Sequence, residues 1–450
     1  MSDFTVKELQ EWNERIEELA AREGLDFYPQ EFEICSYEDM LNYEAYLGMP
    51  ARYPHWSFGK AFERRKTFYR YNLVGLPYEM VINSNPCIAY LMKDNTLLLQ
   101  ILTMAHVYAH NDFFKNNRLF REGTRAELAL EMFKNHAQRV RSYVHDPSIG
   151  YEKVERVLDA AHSIRYQTAR VIGEKRLTRK EQKKRLLEGM NRPRGEHHLL
   201  EIRREQPVPD LHKIPLEPEE DVLGFIAEYG NLEEWEKDII NIVSEETIYF
   251  IPQIETKIMN EGWASYWHYH LLNKLELPQG LHLEFLKRHN LVVRPFTGNI
   301  NPYYLGFMMF ADLAKKNHDD SGFVFKVRET ERDQSFIRRY LTRELCQEMN
   351  LFEYHKRQND YVVTEISDEK GWKNIRDTLA TIAGMGAVPV IKVKEMSVSS
   401  RMLVLEHEYD GRDLDLTYAL ETLRYVANLW GGKVMLYTYV KSSPRILEAG

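Results

Sequence analysis

Cysteine is scarce: Cys35, Cys87 and Cys346 are the only three in 450 residues, and they lie far apart. No CxxC pair occurs, which argues against a disulfide framework or a cysteine-type zinc site and fits a reducing compartment. No stretch approaches ~18 uninterrupted apolar residues, so no membrane-spanning helix is expected. The opening segment, MSDFTVKELQEWNERIEELA, is amphipathic and charged and lacks the apolar core of an export signal. A cytoplasmic location is therefore expected. Excess basic charge is missing too. Sixty Lys plus Arg against 68 Asp plus Glu leave a net charge of −8, which argues against general nucleic-acid binding. No GxGxxG fingerprint, Walker GxxxxGK[ST] loop or GxSxG elbow appears, so nucleotide binding and a serine nucleophile have no support.

What is present is a globular composition, 44% hydrophobic and 28% charged, with enough aromatics (12%) to predict a ring-rich core. The length suffices for two or three domains. Apolar spacing predicts helices over 4–23, 124–145, 150–173, 220–229, 232–250, 303–316 and 333–348. Residues 28–80 read as irregular structure with short helices, and 67–84 as one or two strands. The segment NTLLLQILTMAHVYAHNDFFK, 95–115, is apolar on nearly every side and predicts a central buried helix capped by Asn95 or Thr96. Pro252 is expected to interrupt or kink the pattern before another helix over about 254–275. Residues 174–219, first basic and then proline-rich, read as an exposed charged insertion.

Beyond about residue 349, strands (DYVVTEIS, AVPVIKVKE, MLVLEHEY, KVMLYTYV) alternate with helices over 369–383 and 413–429. Asp377-Thr378-Leu379 and Glu421-Thr422-Leu423 hold corresponding helix positions. They suggest a duplicated strand–helix–strand unit, with chance similarity of two amphipathic helices as the alternative. The predicted fold class is α+β: a large, mostly helical domain over 1–335 and a small α+β domain over 336–450.

Two stretches carry candidate chemistry. In HVYAH, His106 and His110 are four residues apart and share one face of the buried helix; two imidazoles so placed can grip one zinc ion. In NEGWASYWHYH, 260–270, Glu261, Ala264, Ser265 and His268 share a small, polar face. Gly262 and Ala264 would let a second helix approach closely, as a Glu261–metal bond requires. Buried ionisable groups are costly unless paired or metal-bound, so Glu261 joins His106 and His110 as a candidate ligand of zinc or another divalent transition metal. His268 is a candidate for hydrogen-bonding a substrate or a transition-state oxygen. Asp112 and Glu155 are candidate bases, and His55, Asn111, Arg294, Asn299 and Asn301 candidate substrate-binding groups. For most of these, packing, helix capping or a turn would explain the residue equally well. The basic run Lys175–Arg185 reads as a solvated face.

This layout resembles the gluzincin metallopeptidases, in which a helical HExxH supplies two histidines and a later helix a glutamate, often in an Asn-Glu-Gly-x-Ala context. NEGWASY fits the second half. In the first half Val107 stands where those enzymes carry the glutamate that activates zinc-bound water. More broadly the chain resembles the stage V sporulation protein R (SpoVR) family, through RYPHWSFGKAF (52–62), INSNPCIAYLM (82–92), MAHVYAHNDFFKNN (104–117), YFIPQIETKIMNEGWASYWHYH (249–270) and RPFTGNINPYYLG (294–306). The resemblance implies a bacterial cytoplasmic protein linked to spore cortex formation, with relatives in bacteria that make no spores. It also implies a serine protein kinase and a von Willebrand A-like protein as partners. Together these resemblances suggest a gluzincin-like, metal-dependent hydrolase of peptide or amide bonds, or a descendant that still binds metal. The alternative is a non-catalytic regulatory or scaffold protein acting with the kinase.

Overall fold

A computed structural model describes residues 4–70, 79–170, 172–173, 177–190, 210–296, 300–357 and 360–450. Much of the charged insertion, 191–209, falls outside these residues, as does Asn299. The chain divides into two units, each discontinuous in sequence: Met1–Ser142 with Tyr249–Ala387, and Tyr143–Ile248 with Val388–Gly450. The expected cut at 335/336 therefore moves to 387/388. The helix Gly371–Ile382 explains the shift, because Ala380 and the following Ala383 are buried in the core of the first unit.

That core is built on the helix Leu97–Asn116, here the histidine helix. Thr96 caps it by accepting the Leu99 N–H at 3.3 Å. Every residue from Leu98 to Phe114 is buried, as an all-round apolar pattern requires. Against it packs the helix Lys257–Lys274, here the glutamate helix. Of the two outcomes expected at Pro252, an interruption or a kink, the interruption does not occur: the helix Glu234–Glu255 runs through it, and the break falls at Thr256, whose hydroxyl donates to the Pro252 carbonyl at 2.7 Å. Thr256 gives the glutamate helix no side-chain cap. Asp333 does that work, accepting the N–H groups of Ile258 (2.8 Å) and Met259 (2.9 Å) from another helix.

The glycine in NEGW serves a different neighbour from the one expected. A Cβ on Gly262 would lie 2.3 Å from the Cα of Gly306, and one on Gly306 would lie 2.2 Å from the Ile258 carbonyl oxygen. The close approach is thus to the helix Pro302–Lys316, backbone on backbone, and not to the histidine helix. This contact locks the glutamate helix from behind while its other face meets the histidines.

Strands β1 (Gln30–Cys35), β2 (Glu79–Ile82) and β3 (Cys87–Met92) form a sheet in the order β1-β3-β2, with β1 parallel and β2 antiparallel to β3. Of the strand signal over 67–84, 79–82 is strand and Phe68–Arg70 ends the helix Trp56–Arg70, while 71–78 lie outside the described residues. β4 (Phe352–Arg357) and β5 (Asp360–Ile366) pair antiparallel. In the second unit β6 (Ile391–Met396), β7 (Leu403–His407), β8 (Val434–Val440) and β9 (Ser443–Ala449) form one sheet in that order. β7, the helix Leu416–Trp430 and β8 make a true crossover, because β7 and β8 are parallel neighbours. The proposed first copy does not repeat it: β5 and β6 lie in different sheets and different units. Among the described residues no helix is long and apolar enough to cross a membrane.

Gly262→Ala should lower stability by about 3 kcal/mol or more, at or beyond the upper end of overpacking costs, because neither backbone can yield. A denaturant midpoint unchanged from wild type would show that the two helices can separate freely.

Candidate metal centre

The histidine and glutamate helices bring together three groups distant in sequence. Ligand atoms of His106, His110 and Glu261 lie within 4.8 Å of one another. Glu261 Oε2 is 3.6 Å from His110 Nε2 and 3.9 Å from His106 Nε2. Both imidazoles therefore present the same nitrogen to the carboxylate. The outward-turned nitrogens are held by the glutamate helix itself. His110 Nδ1 donates to Asn260 Oδ1 at 2.9 Å, which leaves Nε2 as a lone pair facing Glu261. His106 Nδ1 lies 2.8 Å from His268 Nδ1. His268 Nε2 in turn lies 2.8 Å from Nδ1 of His289, on the helix Gln279–Val292.

Burial decides the charge state here. It holds His110 down at about 4 and, together with the neighbouring His106, keeps its ring neutral at ordinary pH. Burial lowers His268 well below the usual histidine range, with His106, His289 and His110 adding to the effect; His289 is lowered to about 4 for the same first reason. Burial pushes the Glu261 carboxyl up, but the imidazoles of His106 and His110 and a hydrogen bond from Tyr303 outweigh it and leave it below its ordinary value. The result is a neutral His110 imidazole beside an ionised Glu261 carboxylate, the protonation that metal binding needs of both.

The residues also pass a test of fit to a cation. Glu261 Oε2 is buried and has no hydrogen-bond donor, a position a carboxylate oxygen rarely tolerates without a counter-ion. The N₂O donor set suits zinc, and three protein ligands are the number that catalytic zinc sites use.

The other anticipated residues are placed elsewhere. Asp112 is two residues beyond His110, more than half a turn round the helix, and points away from the site. Its Oδ1 accepts the Asp26 N–H at 2.8 Å, its Oδ2 accepts Trp263 Nε1–H at 2.9 Å, and Arg328 Nε lies 3.4 Å away. Burial raises this carboxyl to about 6 despite Arg328. It is an internal strut and not a base for the cluster. Asn111 is likewise structural, gripping the Tyr28 N–H (2.8 Å), the Tyr28 carbonyl (2.9 Å) and Gln30 (3.0 Å). Glu155 belongs to the second unit and accepts the Tyr151 hydroxyl at 2.7 Å. His55 Nδ1 engages the Ser57 hydroxyl at 2.6 Å, at the start of the helix Trp56–Arg70. Asn301 is buried; it accepts the Tyr303 N–H at 3.0 Å and donates to the carbonyls of Val292 (2.7 Å) and Arg294 (2.8 Å). The Arg294 side chain is exposed. His268 supports His106 from behind, where a substrate-facing role was expected.

Three site residues were not anticipated. Asn260 adjoins Glu261 and sits two helical turns from His268, a spacing that could have revealed it. Tyr303 hydrogen-bonds Glu261, and its ring lies 6.3 Å from that of His106 at 26°; it sits in the RPFTGNINPYYLG stretch, two residues past the asparagine cap. His289 carries no local signal, being one of 16 histidines.

The description "SpoVR like protein" matches residues 3–388, and "SpoVR-like C-terminal domain" matches 389–441. The chain belongs to the SpoVR family. All residues of the cluster, and those that brace it, fall in the first of these SpoVR regions, which ends within a residue of the first unit's own end at Ala387. An Escherichia coli (strain K12) relative, "Uncharacterized protein YcgB", is 33% identical over 475 positions, spanning 96% of this SpoVR chain and 92% of its own length. No solved structure matches.

Asp112→Asn should destabilise the protein by about 1–3 kcal/mol, by leaving Arg328 without its buried counter-charge, and should leave metal content unchanged. Unaltered unfolding together with lost metal would instead return Asp112 to the site.

Proposed function

We propose that His106, His110 and Glu261 hold one divalent transition-metal ion, zinc by donor type, and that this SpoVR-family chain uses it to hydrolyse a peptide or amide bond. The observation that carries this reading is the convergence of three ligand atoms within 4.8 Å. The braced Nδ1 of His110 and the partnerless Glu261 Oε2 support it further. When bound, such an ion acts as a Lewis acid and makes water nucleophilic near neutral pH. The chain's own residues supply the rest. Asn260 and His268 orient the two imidazoles. Glu261 brings a charge. The Tyr303 hydroxyl donates to Glu261 and steadies the carboxylate that would hold the ion. Asn301 caps the helix that carries Tyr303. The link to spore cortex implied by the family name would make a wall-precursor peptide or amide the substrate to try first.

Val107 in place of the gluzincin glutamate favours a second reading. Among the described residues, Asp112 is engaged with Asp26, Trp263 and Arg328 and not with the cluster. The site would then bind metal without hydrolysis, and the chain would act as a regulatory module beside a serine protein kinase and a von Willebrand A-like protein.

Metal analysis of protein purified without chelator should find about one equivalent of zinc or a similar ion. His106→Ala with His110→Ala should abolish it, and Glu261→Ala should weaken it strongly, each with helix content preserved. Hydrolysis of amide substrates should stop on chelation and return with zinc. Metal-free wild-type protein would overturn the proposal; bound metal with no hydrolysis would leave the second reading standing.

A further inference from the structure

The helix Trp56–Arg70, WSFGKAFERRKTFYR, is thinly seated: of its 15 residues only Phe58 is buried. It carries five basic residues, Lys60, Arg64, Arg65, Lys66 and Arg70, and one acid, Glu63. Its charge thus runs against that of the chain, whose net value is −8. Helix geometry sorts these groups. At about 100° per residue, Trp56, Lys60, Glu63, Thr67 and Arg70 fall opposite Phe58, with Arg64 and Lys66 at the margins of that outer face. Arg65 falls on the Phe58 side, where it pairs with Glu44 of the helix Tyr37–Ala45 at 3.0 Å. Lys60, Arg64, Lys66 and Arg70 are all exposed, and Trp56 is 48% exposed. Glu63 lies 3.9 Å from Lys66, and an exposed pair at that distance leaves both groups largely available.

An ordinary solvated helix face alternates charge sign and keeps its rings inside. This face does neither. Lys60 Nζ lies 5.5 Å from the centre of the Trp56 ring, the Arg64 guanidinium 5.2 Å from that of Phe68, and Lys66 Nζ 5.7 Å from that of Phe62. Phe62 and Phe68 are half-buried. Each long side chain covers a ring and carries its charge toward solvent. Rings beneath cations match the boundary of an anionic bilayer, where apolar tails lie below and phosphates outside. Four Lys and Arg side chains on one helix are enough for such recognition. Nucleic acid fits less well. A single strand is held in a groove with successive stacking rings, whereas this is the convex side of a helix with one exposed indole.

We propose that the outer face of the helix Trp56–Arg70 is a docking surface for an anionic lipid bilayer. Lys60, Arg64, Lys66 and Arg70 meet the lipid phosphates, and the Trp56 indole enters at the level of the headgroups. The contact is peripheral and needs no membrane-spanning segment. Exposed cations act through the surface potential of the bilayer, which fades within a Debye length, so binding is reversible and weakens as salt rises. This inference is independent of the metal-site reading above.

The test is sedimentation of the full-length protein with vesicles of phosphatidylcholine alone, and of phosphatidylcholine mixed with phosphatidylglycerol. Binding should occur with the mixed vesicles only and should fall steeply as salt is raised. Each of Lys60→Gln, Arg64→Gln, Lys66→Gln and Arg70→Gln should weaken it about 5-fold, the usual effect of one basic residue near an anionic surface. The four together should weaken it about 100-fold or more. Circular dichroism and the thermal midpoint should not change, because all four side chains are exposed. Lipid brominated near the headgroup end of its tails should quench tryptophan fluorescence in the wild type and much less in Trp56→Phe. Binding to both kinds of vesicle alike, or to neither, would overturn the proposal. So would undiminished binding to mixed vesicles by the four-residue variant. Equal quenching in the wild type and Trp56→Phe would refute entry of the indole. An oligonucleotide bound more tightly than the mixed vesicles at equal salt, and lost in the four-residue variant, would reassign the face to nucleic acid.

Discussion

The first unit depends on a bargain struck inside an apolar core: ionisable groups excluded from water must satisfy one another. The histidine helix is buried over its whole middle, so its two imidazoles cannot be solvated. Neither can the glutamate helix expose Asn260 or His268. A buried polar group costs several kcal/mol unless it finds a partner, and the two helices solve this jointly. Each histidine of one helix takes a partner from the other on its Nδ1 side and turns its Nε2 side toward Glu261. What remains after this pairing is a carboxylate oxygen with no donor, which is why the cluster reads as a cation site rather than a closed hydrogen-bond network.

The surrounding architecture serves to hold that geometry still. Gly262 and Gly306 allow a backbone contact that fixes the glutamate helix against the helix Pro302–Lys316. The same helix carries Tyr303 to Glu261, and Asn301 ties its start to the preceding chain. Asp333 anchors the other helix one turn before Glu261. Asp112, on the reverse side of the histidine helix, joins Arg328 and Trp263. The polar residues nearest the cluster thus divide into those that face it and those that lock the helices in register; proximity in sequence does not separate the two kinds.

Much of this was legible beforehand. The central buried helix and its Thr96 cap, and the alternation of the C-terminal strands, rest on local periodicity, which survives in a single sequence; the pairing of HVYAH with NEGWASY rests on the cost of burying Glu261 and on the resemblance to the gluzincin pattern. Local pattern failed where a residue's partner is remote. Asn111 and Asp112 look like site residues because they follow His110, yet helix geometry turns them to Tyr28, Asp26 and Trp263, more than 80 residues away in sequence or on another helix. His289 offered no pattern at all. The 335/336 boundary failed for a related reason: Ala380 and Ala383 are too small to announce that their helix belongs to the earlier core.

The sequence by itself determined which groups could meet a cation, because residue type sets donor chemistry and a four-residue spacing puts two imidazoles on one helical face. It also determined the α+β class and membership of the SpoVR family. Only the tertiary structure decided which nitrogen of each imidazole faces Glu261, which asparagine and histidines stand behind them, and which glycine contact holds the helix in place. Those outcomes follow from how helices cross and rotate against one another, and that relation exists only between segments brought together by folding.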